Sequence, residues 1–189
     1  EMDKIRIHFP YVGGGFGVKE LEIADLIALI LARQAARPVK MVPPMEESFR
    51  SGARHYVVYK VKSGVKSDGA LVAQEIELVV DGGAYLTGSM GQTERAVILA
   101  WGGYRVPNLR VVGRCAYTNK VPATAFRSLA RAQTTWGYES HQDNVARKLS
   151  MDPLEYRLKN LLKRGEMVMD GVSPMDADYA ELFAEAVEA

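Results

Sequence analysis

The chain has 189 residues, 48% hydrophobic and 25% charged, which is the composition of an ordinary folded globular protein and not of a disordered one. Its 24 Lys and Arg against 23 Asp and Glu leave a formal charge of +1, too little to draw in nucleic acid or an anionic membrane. The single cysteine, Cys115, excludes an internal disulfide and any zinc or iron–sulfur site built from cysteines of this chain, and it reads as a small buried hydrophobe in a strand.

Residues 1–4 lack the basic start and apolar core of a secretion signal. Residues 5–9 alternate apolar and polar, as in a half-buried strand, and Pro10 ends them. The loop Gly13-Gly14-Gly15-Phe16-Gly17 follows. Residues 19–36 read as a helix whose stretch 23–31 is apolar nearly all round, the pattern of a buried helix. It contains the longest apolar run, residues 26–32, which is about a third of a bilayer crossing. Residues 39–42 read as a short strand. Residues 56–66 and 71–81 read as a hairpin closed by Ser67-Asp68-Gly69-Ala70, with Lys60 and Lys62 facing Glu75 and Glu77 on a solvated sheet face.

Gly82-Gly83 and Gly102-Gly103 punctuate the middle, and between them residues 93–101 read as a short helix. Residues 109–117 read as a strand, and a Pro122-marked loop leads to a helix over 132–149 with Tyr138, Val145 and Leu149 on its packed face. Asp152-Pro153 opens another helix: Asp152 caps free amides, Pro153 suits the first helical position, and Glu155 can reach back. Leu154, Leu158, Leu161 and Leu162 share one of its faces, and Gly165 stops it. A last helix covers 176–189. The order is α+β, mixed sheets with packed helices, in one domain or in two small subdomains with breaks near 45–55 and 120–130. A chain that opens in a strand and closes in a helix reads as a piece of a longer polypeptide.

Two loops carry the candidate chemistry. The glycine loop between strand and helix offers free N–H groups that an anion or oxo ligand can approach closely. A tight turn explains the same residues, because no P-loop ending follows and Val18 breaks the dinucleotide-binding spacing. The second loop runs from Asn119 through Ala125-Phe126-Arg127 to a helix start. Glu20 and Arg95 complete the polar set, though each alone reads equally as a solvated charge. His8, His55 and His141 have no metal-ligand spacing and take no role. No nucleophile elbow is present, so covalent acyl chemistry is not indicated.

Four stretches, in order, resemble the xanthine dehydrogenase, aldehyde oxidase and hydroxybenzoyl-CoA reductase family. Residues 12–20, Val-Gly-Gly-Gly-Phe-Gly-Val-Lys-Glu, are similar to its Gly-Gly-Gly-Phe-Gly-Gly-Lys-Glu signature. Residues 81–85, residues 117–119 leading to 125–127, and residues 151–162 also agree with it. The resemblance implies part of a large subunit with the fold of a molybdenum cofactor-binding domain, in which a pterin dithiolene holds the metal and no protein side chain need ligate it. It places Gly14, Gly15, Phe16, Gly17, Phe126 and Arg127 around the cofactor, and Glu20, Arg95 and Arg127 toward substrate. The implied reaction hydroxylates an aldehyde or N-heterocycle with oxygen from water, the metal-bound hydroxyl giving its proton to a glutamate base. Electrons then leave through iron–sulfur clusters to FAD on partner modules. A cytoplasmic location goes with it.

The departures matter as well. Val18 replaces a glycine, and residues 128–133 stand where the family has Gly-Phe-Gly-x-Pro-Gln, so Leu129 takes the place of an aromatic that stacks on planar substrates. The Gly-x-Gly-Glu segment that carries the family's base is absent. This chain alone is therefore expected to fold without retaining the cofactor or turning over. A reductive enzyme of the hydroxybenzoyl-CoA reductase kind and a non-catalytic assembly domain are the alternatives.

Overall fold

The computed structural model describes residues 8, 10–17, 19, 23–128, 130–167, 169, 171 and 173–188. The alternating segments in mid-chain form its centre. β2 (Val57–Val65) and β3 (Leu71–Gly83) pair antiparallel, and β3 pairs in parallel with β4 (Asn108–Tyr117), giving the order β2-β3-β4. Parallel neighbours cannot be joined by a tight turn, so the chain between them crosses over through α3 (Ser89–Ile98). One face of β3 carries Gln74, Ile76, Leu78 and Val80, all buried. Ile76 and Leu78 form a core with Ala96, Ala100 and Trp101 from the crossover. The opposite face sets Lys60 against Glu77 and Lys62 against Glu75, as the alternation of charge predicts, and Arg110 and Arg114 of β4 extend the ladder by pairing with Glu75 and Glu77.

α4 (Arg131–Lys148) lies along β2, and α5 (Pro153–Asn160) packs on α4. Arg157 joins the two helices through ion pairs to Glu139 at 2.8 Å and Asp143 at 2.7 Å. Asp152 caps α5 by accepting from Leu154 N–H at 2.8 Å and Glu155 N–H at 3.1 Å. At the other end of α5, the buried Asn160 accepts from Leu71 N–H at 2.8 Å and donates to the Gly69 and Tyr156 carbonyls, both at 2.9 Å, tying the helix to the hairpin turn. α6 (Tyr179–Glu188) joins through Tyr179 and Phe183, which pack on Leu71, Tyr104 and Leu161.

Several expectations change. α1 (Ile23–Ala35) is a helix, but Leu26, Ile27, Leu29, Ile30 and Leu31 are all exposed, so its apolar surface has no layer to bury against among the described residues. Residues 39–42 are not a strand, and Met45–Ser51 form a short helix, α2, that starts behind Pro44 with Glu46 and Glu47 in its first turn. The helix expected at 93–101 starts earlier, at Ser89. On α4 the buried residues are Thr134, Gly137, Gln142 and Ala146, whereas Tyr138, Val145 and Leu149 are half-buried. Gly137 permits the contact, since a Cβ there would come within 2.8 Å of the Tyr59 ring. α5 ends at Asn160 and not at Gly165, because Leu161 turns extended to bridge Tyr104, and Leu158 stays exposed. Cys115 lies in β4 as a free thiol, half-buried and not fully buried. The strand read at residues 5–9 lies outside the described residues, apart from His8.

Candidate functional site

The glycine turn and the Phe126-Arg127 bend meet. Arg127 N–H donates to Phe16 O at 2.7 Å, and the Arg127 guanidinium lies 5.8 Å from the centre of the Phe16 ring. Gly17, at φ +96, passes so close to the bend that a Cβ would sit 2.3 Å from Ala125 O. Gly14 and Gly15 lead into the turn half-buried, while Phe16, Phe126 and Arg127 are exposed. Phe16, Arg127, Ser128 and Ala130 all have positive φ, at 51°, 22°, 88° and 67°. Such conformations cost roughly 1–3 kcal/mol each in non-glycine residues and concentrate at functional sites. Among the described residues, no three His, Cys, Asp or Glu side chains gather to hold a metal ion. What the two bends present is main chain together with the exposed Phe16, Phe126 and Arg127 side chains.

The bend is anchored by residues the motifs did not single out. β1 (Ala53–Arg54) pairs in parallel with β5 (Ala123–Thr124), two residues before Phe126. His55 follows, 3% exposed, with Nε2 at 2.9 Å from Ser89 Oγ. Ser89 Oγ donates to Ala123 O at 3.3 Å, and Gln133 Nε2 donates to His55 O at 2.9 Å. With the hydroxyl proton given to Ala123, His55 Nε2–H is the donor to Ser89, which sets the neutral tautomer. Burial lowers the His55 pKa from its ordinary value, and the Asp81 charge opposes that shift more weakly. His141 is also held below the ordinary range, by burial first and by Lys148 second, and its Nε2 is 2.8 Å from Ser63 Oγ. Of the three histidines given no role from spacing, His55 and His141 are therefore structural anchors held toward the neutral form. The only signal that could have found His55 is its place between Arg54 and the strand at 57.

Glu20 lies outside the described residues, as do Val18 and Leu129. Arg95 is exposed on α3, six residues and roughly 9 Å of helix rise beyond Ser89. Among the described residues, no hydrogen bond or ion pair joins its guanidinium to either bend. An open groove of about 770 Å³ runs from Arg54 and His55 past Tyr59 to Trp136, His141 and Asn144, between β2 and α4. Nearby, Asp81 accepts from Lys120 Nζ at 2.8 Å and Thr118 Oγ1 at 2.6 Å, and these bonds, Lys120 foremost, bring its pKa down to about 2. That network fixes the 118–120 loop from which the bend descends.

A family model described as the molybdopterin cofactor-binding domain matches residues 1–161. The chain is 40% identical over 163 residues to a probable xanthine dehydrogenase subunit of Bacillus subtilis (strain 168), a match covering 85% of this chain and 22% of that protein. It is 36% identical over 170 residues to the nicotinate dehydrogenase large molybdopterin subunit of Eubacterium barkeri, covering 89% of this chain and 40% of that one. Among solved structures, it is similar to the aldehyde oxidoreductase of Desulfovibrio gigas, with 32% identity, a TM-score of 0.84, and coverage of 93% of this chain and 20% of that one. It is also similar to the quinoline 2-oxidoreductase of Pseudomonas putida 86, with 29% identity, a TM-score of 0.77, and coverage of 95% and 24%. The chain thus spans 20–40% of the length of these relatives.

Proposed function

The chain belongs to the molybdopterin cofactor-binding domain family, and from that premise we propose that it forms one wall of the molybdenum site in an oxidoreductase that hydroxylates an aldehyde or N-heterocycle with oxygen from water. The observation that carries this reading is the clasp between the two bends, Arg127 N–H to Phe16 O at 2.7 Å with Gly17 pressed on Ala125. It joins the glycine turn and the bend into one surface, of main chain and the exposed Phe16, Phe126 and Arg127 side chains, for a rigid, oxygen-bearing group.

When bound, the molybdenum–pterin group supplies the redox step. The residues of this chain bind and orient. Gly14, Gly15, Phe16, Gly17 and Phe126 shape the wall. The exposed Arg127 guanidinium is preorganised, by its stacking on Phe16, to face negative charge that develops on the substrate. Glu20 and Arg95 are assigned to the polar edges of the substrate. Residues 1–189 act as one unit of a longer molybdopterin subunit, working with iron–sulfur and FAD modules in the cytoplasm. The chain by itself neither keeps the cofactor nor turns over.

The test is molybdenum content of the intact subunit carrying Gly17→Ala. A Cβ at φ +96 and 2.3 Å from Ala125 O forces the two bends apart. Molybdenum per protein should fall at least tenfold while the subunit stays folded. Wild-type metal content in that variant removes the reading.

A further inference from the structure

The orientation of one amide of the bend, that of Ser128, is under the control of a residue outside the glycine turn and the bend. Arg127 N–H is committed to Phe16 O. The carbonyl on the far side of Arg127 is held separately: Arg54 Nη2 donates to Arg127 O at 3.0 Å, and the Arg54 guanidinium lies over the Phe126 ring at 4.8 Å from its centre. That carbonyl belongs to the peptide joining Arg127 to Ser128. In a trans peptide the C=O and N–H point in opposite directions, and no peptide among the described residues is cis. A carbonyl turned toward Arg54 therefore turns the Ser128 N–H directly away from it. Ser128 N–H donates to no described residue, although Ser128 O accepts from Arg131 N–H at 2.8 Å.

We infer that Arg54 is a positioning residue that locks the Arg127–Ser128 peptide and so aims the Ser128 N–H as an open donor toward an oxygen acceptor of the bound group. The inference rests on the proposed function for the nature of that group, but the lock itself stands on this chain alone. Three features fit it. Arg54 is carried on β1, whose Ala53 N–H donates to Pro122 O at 3.1 Å and whose partner β5 leads into the bend, so the guanidinium reaches from a fixed base. The next residue is the buried His55. Ser128 holds φ +88 and Arg127 φ +22, conformations that relax unless something outside the bend restrains them. A guanidinium can do both jobs at once, since it is flat enough to stack and has donors at its rim.

The test compares Arg54→Ala and Arg54→Lys in the 189-residue chain by residue-resolved amide hydrogen exchange. With Ala, the Arg127 amide should exchange about tenfold faster or more, because the clasp loses its restraint, while Ile76 and Leu78 in β3 keep their protection. Lysine keeps a donor and loses the flat face, so it should recover part of the protection. Unchanged exchange at Arg127 overturns the inference, and so does an equal acceleration at Ile76 and Leu78, which would mean general destabilisation. In the intact subunit, Arg54→Ala should also lower molybdenum content. If Gly17→Ala leaves molybdenum content untouched but Arg54→Ala still frees the Arg127 amide, the proposed function has failed and the peptide lock has not.

Discussion

Helix α1 and strand β3 both carry many apolar residues, and they end in opposite situations. β3 alternates, so Ile76, Leu78 and Val80 lie at 0% exposure under the crossover helix while Glu75 and Glu77 face outward into ion pairs. α1 is apolar nearly all round, and its Leu29 and Ile30 are 54% and 55% exposed. Periodicity tells which face an element can bury. Whether it buries that face depends on a partner layer, which β3 finds within a few tens of residues and α1 does not find among the described residues.

The contrast can be broken by truncation. Leu78→Ala should cost about 3 kcal/mol of folding stability, and Leu29→Ala less than about 0.5 kcal/mol, as read from urea unfolding midpoints. Equal losses would mean that α1 is packed in solution. A polar test on the β3 side comes next in size. Asn160→Ala leaves Leu71 N–H and the Gly69 carbonyl buried without their side-chain partner and should cost about 2 kcal/mol. A neutral result would show that the hairpin turn does not depend on α5.

The smallest effect is one of pH. His55 and His141, both packed against the sheet, have folded pKa values below the ordinary 6.5, so the unfolded chain takes up protons that the fold resists. Stability should be complete above 6.5 and decline as the pH falls below it. Asp81 adds its loss only lower, from 3.8 down to about 2. The double variant His55→Asn, His141→Asn should flatten the first decline. A midpoint unchanged in wild type between neutral and mildly acidic pH would contradict neutral anchors.

What could be read from residue order was what depends on local pattern. The hairpin, its Lys and Glu pairing, the Asp152 cap and the strand before Tyr117 all follow from near neighbours. So does the identity of the glycine turn and the Arg127 bend, through the family motif, although that motif does not say how the bends are held. Their anchors, Arg54, His55, Ser89 and Gln133, were not legible because each works through a partner more than 30 residues away. The two-residue strands β1 and β5 were missed for the same reason, since neither is long enough to show a period. α2 and β1 are separated by Gly52, and Arg54 and His55, just after it, bind to the 123–133 segment.

The parallel pairing of β3 with β4 has a consequence for how the protein is made. The β2–β3 hairpin closes over a few residues and can form in microseconds, whereas β4 must wait for the whole of residues 84–107 to loop back. During synthesis the hairpin therefore stands beside the ribosome with one edge of β3 open, rich in valine and leucine, until the chain past residue 117 has emerged. That interval is when a strand from another nascent copy could pair there, and slowing the crossover would lengthen it.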